Sequence, residues 1–171
     1  MQRPKSARGF TLIELLIVLA IIVIISAITI PSLIGVKMNA NETAAMGSIK
    51  AIQTAQLSYQ AAYGTHGYAS SLVELGGASE ACTPSPATAC LLDEGLTSGS
   101  KAGYNFAVAG GNPANGANTS YVAGAAPSAY NRTGAKRFCS TEKGAIRWDA
   151  NTEGSTTPPT AEECARFHVL R

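Results

Sequence analysis

Five side chains carry most of the chemistry this sequence offers: one carboxylate, Glu14, set inside an apolar run, and four cysteines, Cys82, Cys90, Cys139 and Cys164. From Phe10 to Ile34 there are 25 residues with Glu14 as the single charge, so this carboxylate is one that a hydrocarbon layer would have to hold. Such a charge is costly unless paired, and intramembrane charges are usually functional. Before any cleavage, no cation lies within the run to pair it. Cysteines in an exported domain form disulfides, and four allow three connectivities. The spacing suggests two clips, Cys82 with Cys90 around CTPSPATAC and Cys139 with Cys164 around a C-terminal loop. A four-cysteine zinc site is the competing reading, but no C-x-x-C pair is present.

Little else points to a reacting site. His66 and His168 are far apart in sequence and read as surface histidines. No glycine-rich phosphate loop, nucleophile elbow or metal motif occurs, so neither an enzyme nor a cofactor is expected. In RWDANTEGS, Asp149, Asn151 and Glu153 alternate and offer oxygen ligands for a hard cation, although such a stretch is more often a solvated loop. Between Lys101 and Trp148 six bases face one acid, Glu142, again most simply a solvated face. Asn41, Asn118 and Asn131 head Asn-x-Ser/Thr triplets, which do not establish glycosylation.

These groups must be positioned by elements that the pattern outlines. The run from Phe10 exceeds the about 20 helical residues that a bilayer needs. Arg3, Lys5 and Arg8 precede it without an acid, so this flank stays cytoplasmic and the chain beyond Ile34 is exported. The run is too long for a secretory signal core, and the small-residue cut falls at Gly9, before the run, which keeps the anchor. Loss of the leader takes the formal charge from +2 to −1, because three of thirteen bases go and all eleven acids remain. A near-neutral product argues against an obligate nucleic-acid partner.

Past the run, Ala45, Ile49, Ile52, Ala55, Tyr59 and Ala62 recur at steps of three and four, one apolar stripe on a continuing helix that ends near Tyr63-Gly64. Pro31 should kink or loosen that helix. YASSLVELGG reads as a helical turn with Ser71 and Glu74 at capping-box spacing. From Gly103 the period becomes that of strands: GYNFAVAG, SYVAGAA, and RFCSTEKGAIRW as a hairpin turning at Glu142-Lys143-Gly144. GNPANGANTS and NTEGSTTPPT read as loops. The expected fold is α+β: a long N-terminal helix, its apolar half protruding and its outer half packed on a small antiparallel sheet of three or four strands. The expected divisions are a leader over 1–9, an apolar helix half over 10–35, an outer half over 36–63, a connecting loop over 64–102, and the sheet with its disulfide loop over 103–171.

The stretch RGFTLIELLIVLAIIVIISAITIPSL closely resembles the type IV pilin and pseudopilin family. The resemblance implies that a prepilin peptidase cuts between Gly9 and Phe10 and methylates the new amine of Phe10. It implies that Glu14 pairs with that amine on a neighbouring subunit, and that Pro31 is the family's helix-loosening proline. By the same resemblance, the precursor sits in the inner membrane with its C-terminal domain in the periplasm. Subunits self-associate into a helical filament at the cell surface, driven by an assembly ATPase and a platform protein. A major pseudopilin of a type II secretion system and a minor pilin are the alternatives within the family.

Overall fold

The computed structural model describes residues 10–77 and 82–170, the side chains of 28–32 excepted. The chain divides between Val36 and Lys37 into two compact units. Helix α1 (Leu12–Ala62) supplies the first and opens the second. It starts where Thr11 caps it: the Thr11 hydroxyl accepts from the Glu14 amide at 3.3 Å, and the Thr11 carbonyl takes the first helical bond, from Leu15. Along the first unit every large apolar side chain from Leu12 to Ile24 is between 46% and 77% exposed. The helix bounds include Pro31, whose side chain lies outside the described set.

The second unit is an α+β domain. Its helical stripe is the expected one as far as Tyr59: Ala45, Ile49, Ile52, Ala55 and Tyr59 are all buried. Each buried isoleucine contributes about 1.5–3 kcal/mol through the apolar surface it removes from water. Ala62, in contrast to the expectation, is exposed, because the helix ends there and the chain turns away. Two short helices follow, α2 (Leu72–Leu75) and α3 (Glu94–Thr97). Ser71 caps α2 as its spacing predicts, but Glu74 reaches the amide and hydroxyl of Ser70 instead of closing the box on Ser71.

Among the described residues the sheet has six strands in sequential order, all neighbours antiparallel, where three or four were expected: β1 (Ser100–Lys101), β2 (Tyr104–Ala114), β3 (Ala117–Pro127), β4 (Arg137–Thr141), β5 (Ile146–Asp149) and β6 (His168–Val169). The two additional strands are two-residue edges, too short to show a period of two. GNPANGANTS is not a loop. It continues β2 and β3 around Asn115-Gly116, both in the left-handed region, the pairing that a two-residue hairpin turn requires. Pro113 is tolerated in β2 because β1 pairs only with Tyr104 and Asn105, leaving the rest of that edge open for a residue without an amide hydrogen.

Strand β3 is covered on both faces from Tyr121 to Pro127. Tyr121, Ala123 and Ala125 pack with the helical stripe, while Val122 packs with Cys139, Cys164 and Phe167 on the opposite face. Gly124 has no room for a side chain, since a Cβ would come within 2.9 Å of Pro159. The segment expected as a C-terminal loop contains a further helix, α4 (Ala161–Arg166), started by a full capping box between Thr160 and Glu163. The Thr-x-x-Glu spacing was legible there, but the preceding prolines pointed to a loop.

Candidate functional site

Two places carry the functional groups: the start of α1 and the brace that holds the second unit. At the start, Glu14 is the third residue of the helix and Thr11 its cap. Beside its bond from the Glu14 amide, the Thr11 hydroxyl donates to Glu14 Oε2 at 3.4 Å. A carboxylate in a helix's first turn also meets the positive end of the backbone dipole. Glu14 therefore has a local role that sequence reasoning missed, although TLIE has the spacing of a capping box. Phe10 is 81% exposed next to it, and Gly9, with the rest of the leader, lies outside the described residues. Among the described residues no helix is long and apolar enough to cross a membrane.

The second unit is fastened to α1 by polar groups that periodicity could not single out. Glu42 is buried and accepts from the Ala135 amide at 3.0 Å, the Lys136 amide at 3.3 Å and Lys136 Nζ at 3.1 Å. The residue before it on the same helix, Asn41, donates to the Thr133 carbonyl at 2.7 Å. Gln56, fully buried, exchanges two bonds with the Ala69 backbone, at 2.9 and 3.0 Å. Gln53 reaches the Ser140 hydroxyl and the Gly144 carbonyl in the β4–β5 hairpin. Each of these ties the helix to chain far away in sequence.

Both expected disulfides are present, and no described cysteine is free. Cys82–Cys90 closes a small hairpin in which Ser85 and Thr88 exchange backbone bonds, and the Tyr59 hydroxyl donates to Pro86 within it at 2.8 Å. Tyr59 thus packs on the connecting segment as well as facing the sheet, and Tyr63 lies 5.0 Å from its ring. Cys139–Cys164 is wholly buried and joins β4 to α4. Beside it Arg137, stacked on Phe167, pairs with Glu163 at 2.8 Å and Asp149 at 3.3 Å. Bonding to the Thr160 backbone and then to Arg137 holds the Glu163 carboxyl below the ordinary range. Burial pushes the Tyr121 hydroxyl up to about 12, and raises that of Tyr104 as well.

Of the candidate ligands in RWDANTEGS, Asp149 and Asn151 are committed to the fold, whereas Glu153 is exposed. Asp149 accepts from Arg137 and from the Asn151 amide, and buried Asn151 braces Ser155 through both its side-chain atoms. No group of three or more potential metal ligands gathers among the described residues. Four of the six bases between Lys101 and Trp148 are taken up by separate partners. Lys101 pairs with Asp93, Lys136 with Glu42, Arg137 with Asp149 and Glu163, and Arg147 donates to the carbonyls of Ala165 and Phe167. His66 sits beside Thr65 in the turn after α1, whereas His168 stacks near Trp148 on the sheet edge. Asn41 and Asn118 both spend their side-chain amides on backbone carbonyls.

What this arrangement provides is a braced head and an uncovered apolar helix. Residues 4–30 match the family described as the prokaryotic N-terminal methylation motif. The chain is similar to the type IV wide pilus major component of Thermus thermophilus, with 56% identity over 39 residues, 23% of this chain and 30% of that protein. It is also similar to the type IV major pilin protein of Myxococcus xanthus, with 50% identity over 52 residues, 30% of this chain and 24% of that one. The chain thus spans under a third of the length of these curated relatives, and no solved structure matches it. Over this N-terminal segment the chain carries the prokaryotic methylation motif and is similar to these type IV pilins.

Proposed function

We propose that the protein is a structural subunit of a type IV pilus. The precursor is held in the inner membrane by the run from Phe10 to Ile34, with the second unit in the periplasm. A prepilin peptidase cuts after Gly9 and methylates Phe10. The cut creates the one cation the run lacked, the α-amine of Phe10, and Glu14 of an incoming subunit pairs with that amine on its neighbour. Until then the Thr11 hydroxyl and the helix start hold the Glu14 carboxylate. An assembly ATPase and a platform protein extract the subunit. Pro31 loosens the helix for packing in the fibre, and the heads form its outside.

The observation that carries this reading is the exposed apolar helix joined to a folded head. Once out of the lipid, the side chains from Leu12 to Ile24 must be covered. One-sided helical stacking covers them without closing a ring, which generates a filament. The test is the intact mass of the protein in material sheared from cells, beside the washed membrane fraction. A chain beginning at N-methylated Phe10, abundant in the sheared fibres, is the expected result. The same chain confined to membranes would instead fit a pseudopilin or minor pilin, and an uncut Met1 form would refute the processing.

A further inference from the structure

We propose that the open edge of β2 pairs with the same edge of a second copy of this chain, antiparallel and across a two-fold axis at Ala109, so that one sheet runs through both heads. Strand β1 covers β2 only at Tyr104 and Asn105, and just beyond it the Gly99 carbonyl accepts from the Phe106 amide at 2.8 Å. Past Phe106, β2 has no strand on that side among the described residues. The regular run ends at Asn112, whose φ of 48° lies in the left-handed region, and Pro113, which has no amide hydrogen, follows it. A partner strand is therefore offered the five residues from Ala107 to Gly111.

Three observations favour a second copy as that partner. First, the register completes itself. Because the Phe106 amide points away from β3, the alternation of an antiparallel pair turns the amides and carbonyls of Val108 and Gly110 the same way. Ala109 is the middle of the window, and two copies centred on it set Val108 of each opposite Gly110 of the other. All the outward amides of the window then meet carbonyls, which no other two-fold register within it achieves. Second, nothing on the edge repels its own copy. Sheet edges are normally blunted by charge, proline or a bulge, yet Ala107 to Gly111 has none of these, and no charged residue occurs anywhere from Gly103 to Asn131. The opposite edge of the sheet, β6, is only two residues long and cannot fill the window. Third, the side chains allow close approach, because Ala107 and Ala109 are small and exposed and two glycines follow them. A pairing of this length buries less than the about 1,000 Å² of a stable interface, so it is weak between isolated heads and gains strength where many are arrayed. A two-fold contact closes on itself and cannot extend a one-sided stack. In the filament proposed above, on which this consequence rests, it joins one fibre to the next.

The four native cysteines are paired, so an introduced thiol reports alone. Ala109→Cys and Ala107→Cys, two exposed positions on one face of β2, are made singly in the full chain, oxidised in the washed membrane fraction and read by intact mass. Across the axis the two Ala109 Cα atoms form a non-hydrogen-bonded pair about 4.5 Å apart, within disulfide reach. Those of Ala107 are displaced by four residues along the paired strands and lie roughly 14 Å apart. Linked dimer from Ala109→Cys at about tenfold or more over Ala107→Cys is expected. Adding Val108→Pro, which removes an outward amide at a position where an edge tolerates proline, should lower that yield roughly tenfold. Equal yields from the two positions would mean random collision and overturn the proposal, as would dimer from neither or a yield that Val108→Pro leaves unchanged. A mixed disulfide between the Ala109→Cys variant and a different protein would give the edge to another partner and also overturn it. Absence of fibres from sheared material would count against the filament reading alone, since the dimer is read in membranes.

Discussion

At the scale of single residues, the capping role of Glu14 and its proposed assembly role can be separated by substitutions. Its amide and carboxylate both bond to Thr11, which is capping; the proposed pairing with a neighbour's amine is assembly. Glu14→Ala should leave cleavage at Gly9 intact and abolish surface fibres, read by electron microscopy of sheared material. Thr11→Ala removes the cap, worth about 1 kcal/mol, and keeps the carboxylate, so fibres should persist. Equal loss in both variants would mean that Glu14 supplies the cap and not an intersubunit contact. Gln56 is the corresponding residue of the head. Gln56→Ala strips the buried Ala69 amide and carbonyl of their partners and should cost about 1–3 kcal/mol in denaturant unfolding, far more than an exposed glutamine would.

At the scale of elements, the two disulfides differ in exposure and so in accessibility. Cys139 and Cys164 are both wholly buried between β4 and α4, while Cys82 and Cys90 are part-exposed in a surface hairpin. A water-soluble phosphine under native conditions should therefore reduce Cys82–Cys90 first and open Cys139–Cys164 only as the head unfolds. Timed alkylation and peptide mapping would show the order, and simultaneous loss would contradict the burial. Removing Cys139–Cys164 should be the more damaging change, since its loop of 25 residues against 8 leaves the unfolded chain freer. The chain-entropy model gives about 3.5 and about 2.5 kcal/mol for the two.

At the scale of the whole molecule, the head is fastened by carboxylates, which sets its response to acid. Glu163 has its folded pKa lowered, so its contribution is complete above the ordinary value of 4.5 and is lost as pH falls through the folded value. Thermal unfolding should therefore show the head weakening below about pH 4.5 as the Arg137 clamp releases α4. Glu163→Gln should be less stable near neutrality and should have a flatter acid limb; an unchanged limb would remove Arg137–Glu163 from the acid response. The filament proposed here would meet the same limit, because its exterior consists of heads.

Much of this is legible in the sequence, because it is local or periodic. The apolar run with its one carboxylate, the stripe from Ala45 to Tyr59, the four main strands and the cysteine pairs all follow from the order and spacing of residues. Asn115-Gly116 was also legible as a hairpin turn, but the glycines and polar residues around it masked the strands that it joins. What only tertiary structure decided lies where distant segments meet. The covering of β3 on both faces, the two-residue edge strands, the burial of Glu42 and Gln56, and the separate partners of Lys101, Lys136, Arg137 and Arg147 are of that kind. Periodicity records how a residue faces its own element, whereas a buried polar group is stabilised by whichever chain arrives opposite it, and that identity is written only in the folded contacts.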